Sequence, residues 1–374
     1  MISVRVNGKD AMRAPITHVL GARPNFMKAA PVIAALAELG FEQRIAHTGQ
    51  HYDEQMSEVF FVQLGLPRPD VNLGVGSGSH ARQTAEVMTG MERELTGNSP
   101  ALAVVYGDVN STLGAALAAA KLRVPLAHVE AGLRSFDDSM PEEMNRRLTD
   151  QLCALLFVTS PEAIGHLARE GRPAGAVHLV GNPMIDTLLA HLDRFDVAAA
   201  RSAAGLPDRY VVATLHRPSN VDDPQATAEL VQALHEVADE LDLIIPVHPR
   251  GRAALEAAGL STHPRLHACD PLGYLEFMGL VKGASAVITD SGGVQEETTL
   301  LRVPCLTLRP NTERPITITS GSNRLVTRQE LAAAVFKACH DGPYGGQLPP
   351  LWDGRAGPRI AGIIAAWLDP EGRS

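Results

Sequence analysis

Short runs of apolar, strand-favouring residues alternate along this chain with longer Ala/Leu-rich stretches of helical period. In the first half the runs are "ITHVLG", "QRIAHTG", "LAVVYGD", "PLAHVEAG", "LLFVTS" and "VHLVGN"; in the second they are "YVVATLH", "LIIPVHP", "RLHACDP", "AVITDSGG" and "PCLTLRP". Strands alternating with helices in this way predict βαβ units and parallel sheets. Several runs end in Gly, Asp, His or Glu, which places polar groups at the carboxyl ends of strands, where ligands sit in such sheets. The predicted fold is α/β, with two Rossmann-like doubly wound domains facing across a cleft. The expected division is residues 1–185, residues 186–355, and a final helix over residues 356–374 that crosses back to the first domain. The Pro/Gly-rich break "DGPYGGQLPPLWDG" ahead of that helix motivates the crossing.

Composition narrows the function. At 374 residues the chain exceeds the usual ceiling for one hydrophobic core, which agrees with two domains. A net charge of −9 argues against a nucleic-acid or membrane-surface partner, because both need broad positive fields. An anionic ligand must therefore meet local positive charge. The four cysteines (Cys153, Cys269, Cys305, Cys339) are scattered without a CxxC pair, so no metal site is expected and a reducing compartment is. With no apolar run of about 18 residues and no secretory stretch at the start, the expected location is the cytoplasm.

Local positive charge and phosphate-binding turns are present. "GARPNFMKAAP" follows the first strand and opens a helix, bringing Arg23 and Lys28 to an N-terminal end that already favours anions. It is not GxGxxG, and no ribose-binding acid follows about twenty residues on, so a nicotinamide cofactor is not expected. "ITDSGGVQEETTLL" offers Ser291, Gly292 and Gly293 as a diphosphate cradle, with Glu297 one turn later on an exposed helix turn, suited to vicinal hydroxyls. His216 in "ATLHRPSN" and His248 in "IPVHPR" stand at strand ends, as does Asp108 in "VVYGDVNST". Arg314 follows the last of the strand runs, and Phe277 is either a stacking face or an ordinary core residue.

The densest charge lies in "HVEAGLRSFDDSMPEEMNRR", His128 to Arg147, with five carboxylates and three arginines. Glu130 within an apolar strand is costly unless it has a partner or a task. Ser139 and Glu142 have the spacing of a capping box, with Pro141 suited to a first turn. Glu142–Arg146 and Glu143–Arg147 are further expected as i, i+4 pairs, worth only about 0.2–0.5 kcal/mol each.

"GARPNFMK", "TGQH", "GDVNST", "HVEAGLRS", "PEEMNRRLTD", "GNPMID", "HRPSN", "PVHP", "TDSGGVQEE" and "TERP" occur in the order seen in the non-hydrolysing UDP-N-acetylglucosamine 2-epimerases, which the chain resembles from about Gly21 almost to its end. The resemblance implies a glycosyltransferase-B-like fold, a homodimer, and interconversion of UDP-GlcNAc and UDP-ManNAc without a nicotinamide cofactor. It implies that Asp108, Glu130, Glu142 and His216 belong to the reacting site. Arg23, Lys28, Ser291, Gly292, Gly293, Glu297 and Arg314 would hold the nucleotide, with Phe277 by the uracil; His248 joins the expected substrate-binding residues from its strand-end position, where an imidazole can hold a phosphate. The loop "SFDDSM" is shorter than in familiar members, Leu272 stands where Gln is common, and Asn25 and Pro218 replace a frequent Glu and Arg. Bacterial members can bind a second UDP-GlcNAc near "TGQH" as an allosteric activator, and "TGQHYDEQ" and "HRPS" depart from the pattern there.

The chemistry fits the crowding of acids. Loss of UDP from C1 makes the neighbouring C2 proton removable by a modest base, so the expected route is elimination to a 2-acetamidoglucal and re-addition, with carboxylates as acid and base. Arg134, Arg146 and Arg147 are the expected partners that keep those acids ionised. A hydrolysing 2-epimerase or a glycosyltransferase of the same fold are the alternatives, with a non-catalytic UDP-sugar sensor less favoured.

Overall fold

The computed structural model describes residues 14–50, 61, 63–247, 249–342 and 347–369. The chain divides into two compact units, Met1–Leu189 with Pro350–Ser374, and Ala190–Pro349. Both are α/β with a parallel sheet.

The first unit is built on β1 (Ile16–Leu20), β2 (Gln43–His47), β3 (Val71–Asn72), β4 (Leu102–Tyr106), β5 (Leu126–Val129), β6 (Leu155–Val158) and β7 (Val177–Leu179). They lie in the order β3-β2-β1-β4-β5-β6-β7 with every pairing parallel. β1, β4, β5 and β6 are buried along their whole lengths, which is why they read as unbroken apolar runs rather than alternating ones. Val19, Val105, Leu156, Met91 and Leu167 share one apolar core. Strand order reverses between β1 and β4, so their carboxyl ends flank the switch point at which such sheets bind ligands.

Three helices leave those ends: α1 (Arg23–Glu38) after β1, α2 (Asn110–Leu122) after β4, and α3 (Pro141–Leu152) after β5. Pro24 sits in the first turn of α1, where its missing N–H costs nothing. The helix Ala356–Leu368 packs on α1 within this unit. Its first turn is pinned by a hydrogen bond from the Gly357 amide to Asp186 Oδ2 at 2.7 Å, and the Trp352 indole just before it donates to the Thr159 carbonyl at 3.1 Å.

The second unit has β8 (Tyr210–Thr214), β9 (Asp242–Pro246), β10 (Leu266–Cys269), β11 (Ala286–Thr289), β12 (Cys305–Thr307) and β13 (Asn323–Leu325), in the order β10-β9-β8-β11-β12-β13 and all parallel. Its own core joins Val211, Ile245, Ile288 and Leu306 to Leu234 and Val335. The switch point lies between β8 and β11. Near it stand α4 (Tyr274–Gly283) and α5 (Gly292–Leu301), the second opening directly after β11. β3 and β13 are absent from the runs read in the sequence; two or three partly exposed residues carry no period. No helix of the described residues is long and apolar enough to cross a membrane.

Candidate functional site

In the first unit the switch point gathers charge from three strand ends. Glu130 follows β5 in the left-handed backbone region, φ +75°, a conformation that costs a non-glycine residue energy and that clusters at functional positions. Its amide and that of Ala131 both donate to the Phe157 carbonyl, at 3.1 and 3.0 Å, which holds the turn. Lys28, one helical turn and more into α1, reaches across to form an ion pair with Glu130 Oε2; the side chains are 5% and 2% exposed. Gly107, after β4 with φ +63°, leaves room for that pair: a Cβ there would lie 3.1 Å from Lys28 Nζ and 3.2 Å from Glu130 Oε2. Asn25 knits the two strand ends together, its Oδ1 accepting from the Gly21 and Ala22 amides at 3.0 Å and its Nδ2 donating to the Tyr106 carbonyl at 2.9 Å.

Asp108, the next residue, keeps its carboxylate about a quarter exposed and is ion-paired to Arg146 Nη2. Arg146 Nη1 meanwhile donates to Glu143 Oε2 at 2.6 Å, and Asn145 Nδ2 donates to the Asp108 carbonyl at 2.9 Å. Glu143 also accepts from the Ser135 amide and hydroxyl at 2.9 Å and from the Phe136 amide at 3.2 Å. Burial pushes the Glu143 carboxyl up, but the Ser135 hydrogen bonds and the Arg146 charge outweigh it and hold the group below its ordinary range. Behind the strands, Asp150 accepts from His128 Nδ1 and Arg134 Nη2, each at 2.7 Å, and His128 Nε2 donates to the Gly107 carbonyl at 2.8 Å. Asp150 is likewise lowered, burial being overcome by His128 and Arg134.

These pairings correct several sequence expectations. Arg134 serves Asp150 and Glu170 rather than the reacting acids, Arg147 pairs with the exposed Asp138, and the partner of Glu130 is Lys28. Neither i, i+4 pair forms, because Arg146 is drawn to Asp108 and Glu143. The capping box does not form either. With Pro141 opening α3, Met140 is the cap residue and is held extended, and the Ser139 hydroxyl turns back to Asp137 Oδ1 at 2.5 Å. Glu142 is half-buried and makes no hydrogen bond or ion pair among the described residues.

In the second unit Asp290 is the organising residue at the end of β11. It is fully buried and accepts from the His216 amide at 3.0 Å, the Arg217 amide at 2.9 Å and Asn220 Nδ2 at 3.0 Å, while His216 Nδ1 stands 3.0 Å from its Oδ1. Burial would raise this carboxyl; His216, Asn220 and the Arg217 amide together lower it instead. His216 thus has one nitrogen held and a ring that is 43% exposed. Ser291 caps α5 without using its hydroxyl on the helix. A Cβ at Gly292 would overlap the guanidinium of Arg314, which has little freedom to move aside. Arg314 is itself buried, ion-paired with Glu313 and, at 3.0 Å, with Glu296.

Glu297 departs from expectation. Its helix turn is buried rather than exposed, because α5 packs against α4, and the carboxyl is pushed up to about 8 by burial and the neighbouring Glu296 charge, with the Tyr274 hydroxyl pulling the other way. Phe277 lies half-buried on α4. His248, the Arg23 and Pro218 side chains, and residues 51–60, which take in the end of "TGQH", lie outside the described residues. Sequence reasoning missed Asp290, and it did not foresee the hydrogen bonds that Glu143 and Asn25 make. Asp290 carries a local signal, an acid closing a strand directly before a Ser-Gly-Gly turn.

Chemically, the first unit holds two acids, each ion-paired with a basic side chain, at adjacent strand ends. The second offers backbone N–H groups at a helix start beside a buried arginine, a site suited to an anion. A sequence model of the UDP-N-acetylglucosamine 2-epimerase family matches residues 34–365. The chain is 40% identical over 363 residues to UDP-N-acetylglucosamine 2-epimerase of Methanocaldococcus jannaschii, covering 92% of this chain and 97% of that one. It is 44% identical over 317 residues to UDP-2,3-diacetamido-2,3-dideoxy-D-glucuronate 2-epimerase of Pseudomonas aeruginosa, covering 83% and 88%. The crystal structure of the M. jannaschii UDP-GlcNAc 2-epimerase in complex with UDP-GlcNAc and UDP is similar with a TM-score of 0.88 at 39% identity, over 94% of this chain and 99% of that one. Matched over most of its length in sequence and fold, this protein belongs to the UDP-N-acetylglucosamine 2-epimerase family.

Proposed function

We propose that this protein interconverts UDP-GlcNAc and UDP-ManNAc by eliminating UDP and adding it back. In the forward half, a carboxylate takes the C2 proton, the C1–O bond breaks with its electron pair leaving on UDP, and a C1=C2 double bond forms. In the return half, C2 is protonated from the opposite face while a phosphate oxygen of UDP re-forms the bond to C1. The observation that carries this reading is the pair of cation-matched acids, Asp108 and Glu130, at neighbouring strand ends of a switch point. Each carboxylate is ion-paired with a basic side chain and can accept a proton from carbon.

Glu130 or Asp108 acts beside C2, Glu142 in the second proton transfer, and His216, oriented by Asp290, on the departing diphosphate. Ser291, Gly292, Gly293 and Arg314 hold the diphosphate, Glu297 the ribose, and Phe277 the uracil. Lys28 belongs with Glu130 in this reading rather than with the phosphates. A homodimer and an activating second UDP-GlcNAc rest on the family resemblance, and a cytoplasmic location on the sequence expectation.

Incubation with UDP-GlcNAc in heavy water, read by NMR, tests the mechanism. Deuterium at C2 in both epimers is the expected result, with Glu130→Gln abolishing exchange while retaining UDP binding. Free sugar, or unlabelled substrate, overturns it. A second reading concerns the sugar. The 44% identity to the P. aeruginosa enzyme favours a C2 epimerisation of a diacetamido-uronate nucleotide, and the same assay with that substrate decides by comparing kcat/KM.

A further inference from the structure

Glu143 is a buried carboxylate that the reaction scheme does not use, although it is the most heavily bonded acid of the "PEE" segment. Its side chain is 1% exposed, and it accepts four hydrogen bonds, from the Ser135 amide and hydroxyl, the Phe136 amide and Arg146. These partners lead to the acids of the site. Arg146 uses one nitrogen of its guanidinium on Glu143 and the other on Asp108, so the fork cannot turn away from Asp108 without leaving Glu143. Ser135 and Phe136 close the loop that begins at Glu130. That loop is bent against its preference at the far end as well as the near one: Phe136 is held at φ +55°, a non-glycine left-handed residue whose amide ends on Glu143.

We infer that Glu143 is a positioning residue for catalysis, setting Asp108 through Arg146 and fixing the far end of the Glu130 loop. The inference rests on the proposed role of Asp108 as a carboxylate that accepts a proton. Among the described residues, the charged groups near Asp108 include Arg146 and Glu143 from α3 and, across Gly107, the Lys28–Glu130 pair from α1 and the end of β5. Glu143 contributes negative charge to this group that Asp108 feels through their shared arginine.

The test uses the full chain and C2 deuterium exchange on UDP-GlcNAc. Glu143→Gln keeps the shape and removes the charge; Glu143→Asp keeps the charge and shortens the reach. For Glu143→Gln, kcat falls by about 10²-fold, as expected of a misplaced catalytic group, with KM and UDP affinity within about threefold of wild type. The acid limb of the kcat–pH profile moves to lower pH, because Asp108 then has Arg146 to itself and loses a like charge. Glu143→Asp lowers kcat less and leaves the limb in place. Wild-type kcat in Glu143→Gln, or a loss with the limb unmoved, overturns the inference. Should that variant fail to fold, Glu143→Asp decides alone: a wild-type kcat there overturns the inference, and a lowered kcat at unchanged KM supports it. Asp108→Asn, run in parallel, separates the two readings. If it turns over normally, the proposed role of Asp108 fails; if it is inactive while Glu143→Gln is not, only the positioning role fails.

Discussion

Replacing Lys28 by Met removes the cation from a carboxylate that has almost no access to water. The two side chains are 5% and 2% exposed. At a contact of about 3 Å and an effective dielectric constant of about 20, their attraction is about 5 kcal/mol, against which each group has already given up its hydration. Breaking a buried pair from one side costs about 3–5 kcal/mol, because the remaining charge keeps its desolvation cost without its counter-charge. The net worth of the pair is smaller, so Lys28→Met combined with Glu130→Gln recovers most of the loss. Both tryptophans of the chain, Trp352 and Trp367, lie in the first unit, so their fluorescence during urea unfolding reports on the unit that holds the pair. The expected outcome is a loss of about 3–5 kcal/mol for Lys28→Met in the wild-type background and about 1 kcal/mol or less in the Glu130→Gln background. Equal costs in the two backgrounds would refute the reasoning, since the residues would then not be coupled.

Gly107→Ala places a methyl group 3.1 Å from Lys28 Nζ at a residue with φ +63°. It should cost about 1–2 kcal/mol of first-unit stability and slow C2 exchange without changing UDP affinity by calorimetry; unaltered exchange kinetics would count against the crowding. Glu297 gives a pH dependence with a definite sign. Its carboxyl stands at about 8 in the folded chain against 4.5 ordinarily, so between those values the unfolded chain releases a proton that the folded chain keeps. Stability is therefore lost as pH rises toward 8, by at most about 5 kcal/mol. Glu297→Gln should remove that loss, making the variant more stable than wild type at pH 9 while weakening uridine nucleotide binding; parallel stability–pH curves for the two proteins would sink the assignment.

The parallel strands, the two-unit plan and the polar turns at the strand ends were legible in the sequence because they are written in local terms. Buried parallel strands appear as unbroken apolar runs, and a strand that must present a ligand site ends in Gly, Asp, Glu or His. β3 and β13 escaped because two or three partly exposed residues cannot carry a period. What only the tertiary structure decided is which charge answers which. Lys28 and Glu130 are separated by 102 positions, and nothing local distinguishes Lys28 from a phosphate ligand or Glu143 from its exposed-looking neighbour Glu142. Burial made the same kind of decision at Glu297, whose helix turn reads as solvent-facing until α4 is packed against it. Hydrophobic patterning acts along a few successive residues and so survives in the sequence. Ion pairing and desolvation act through space, and they take their values only when distant strand ends have been brought together.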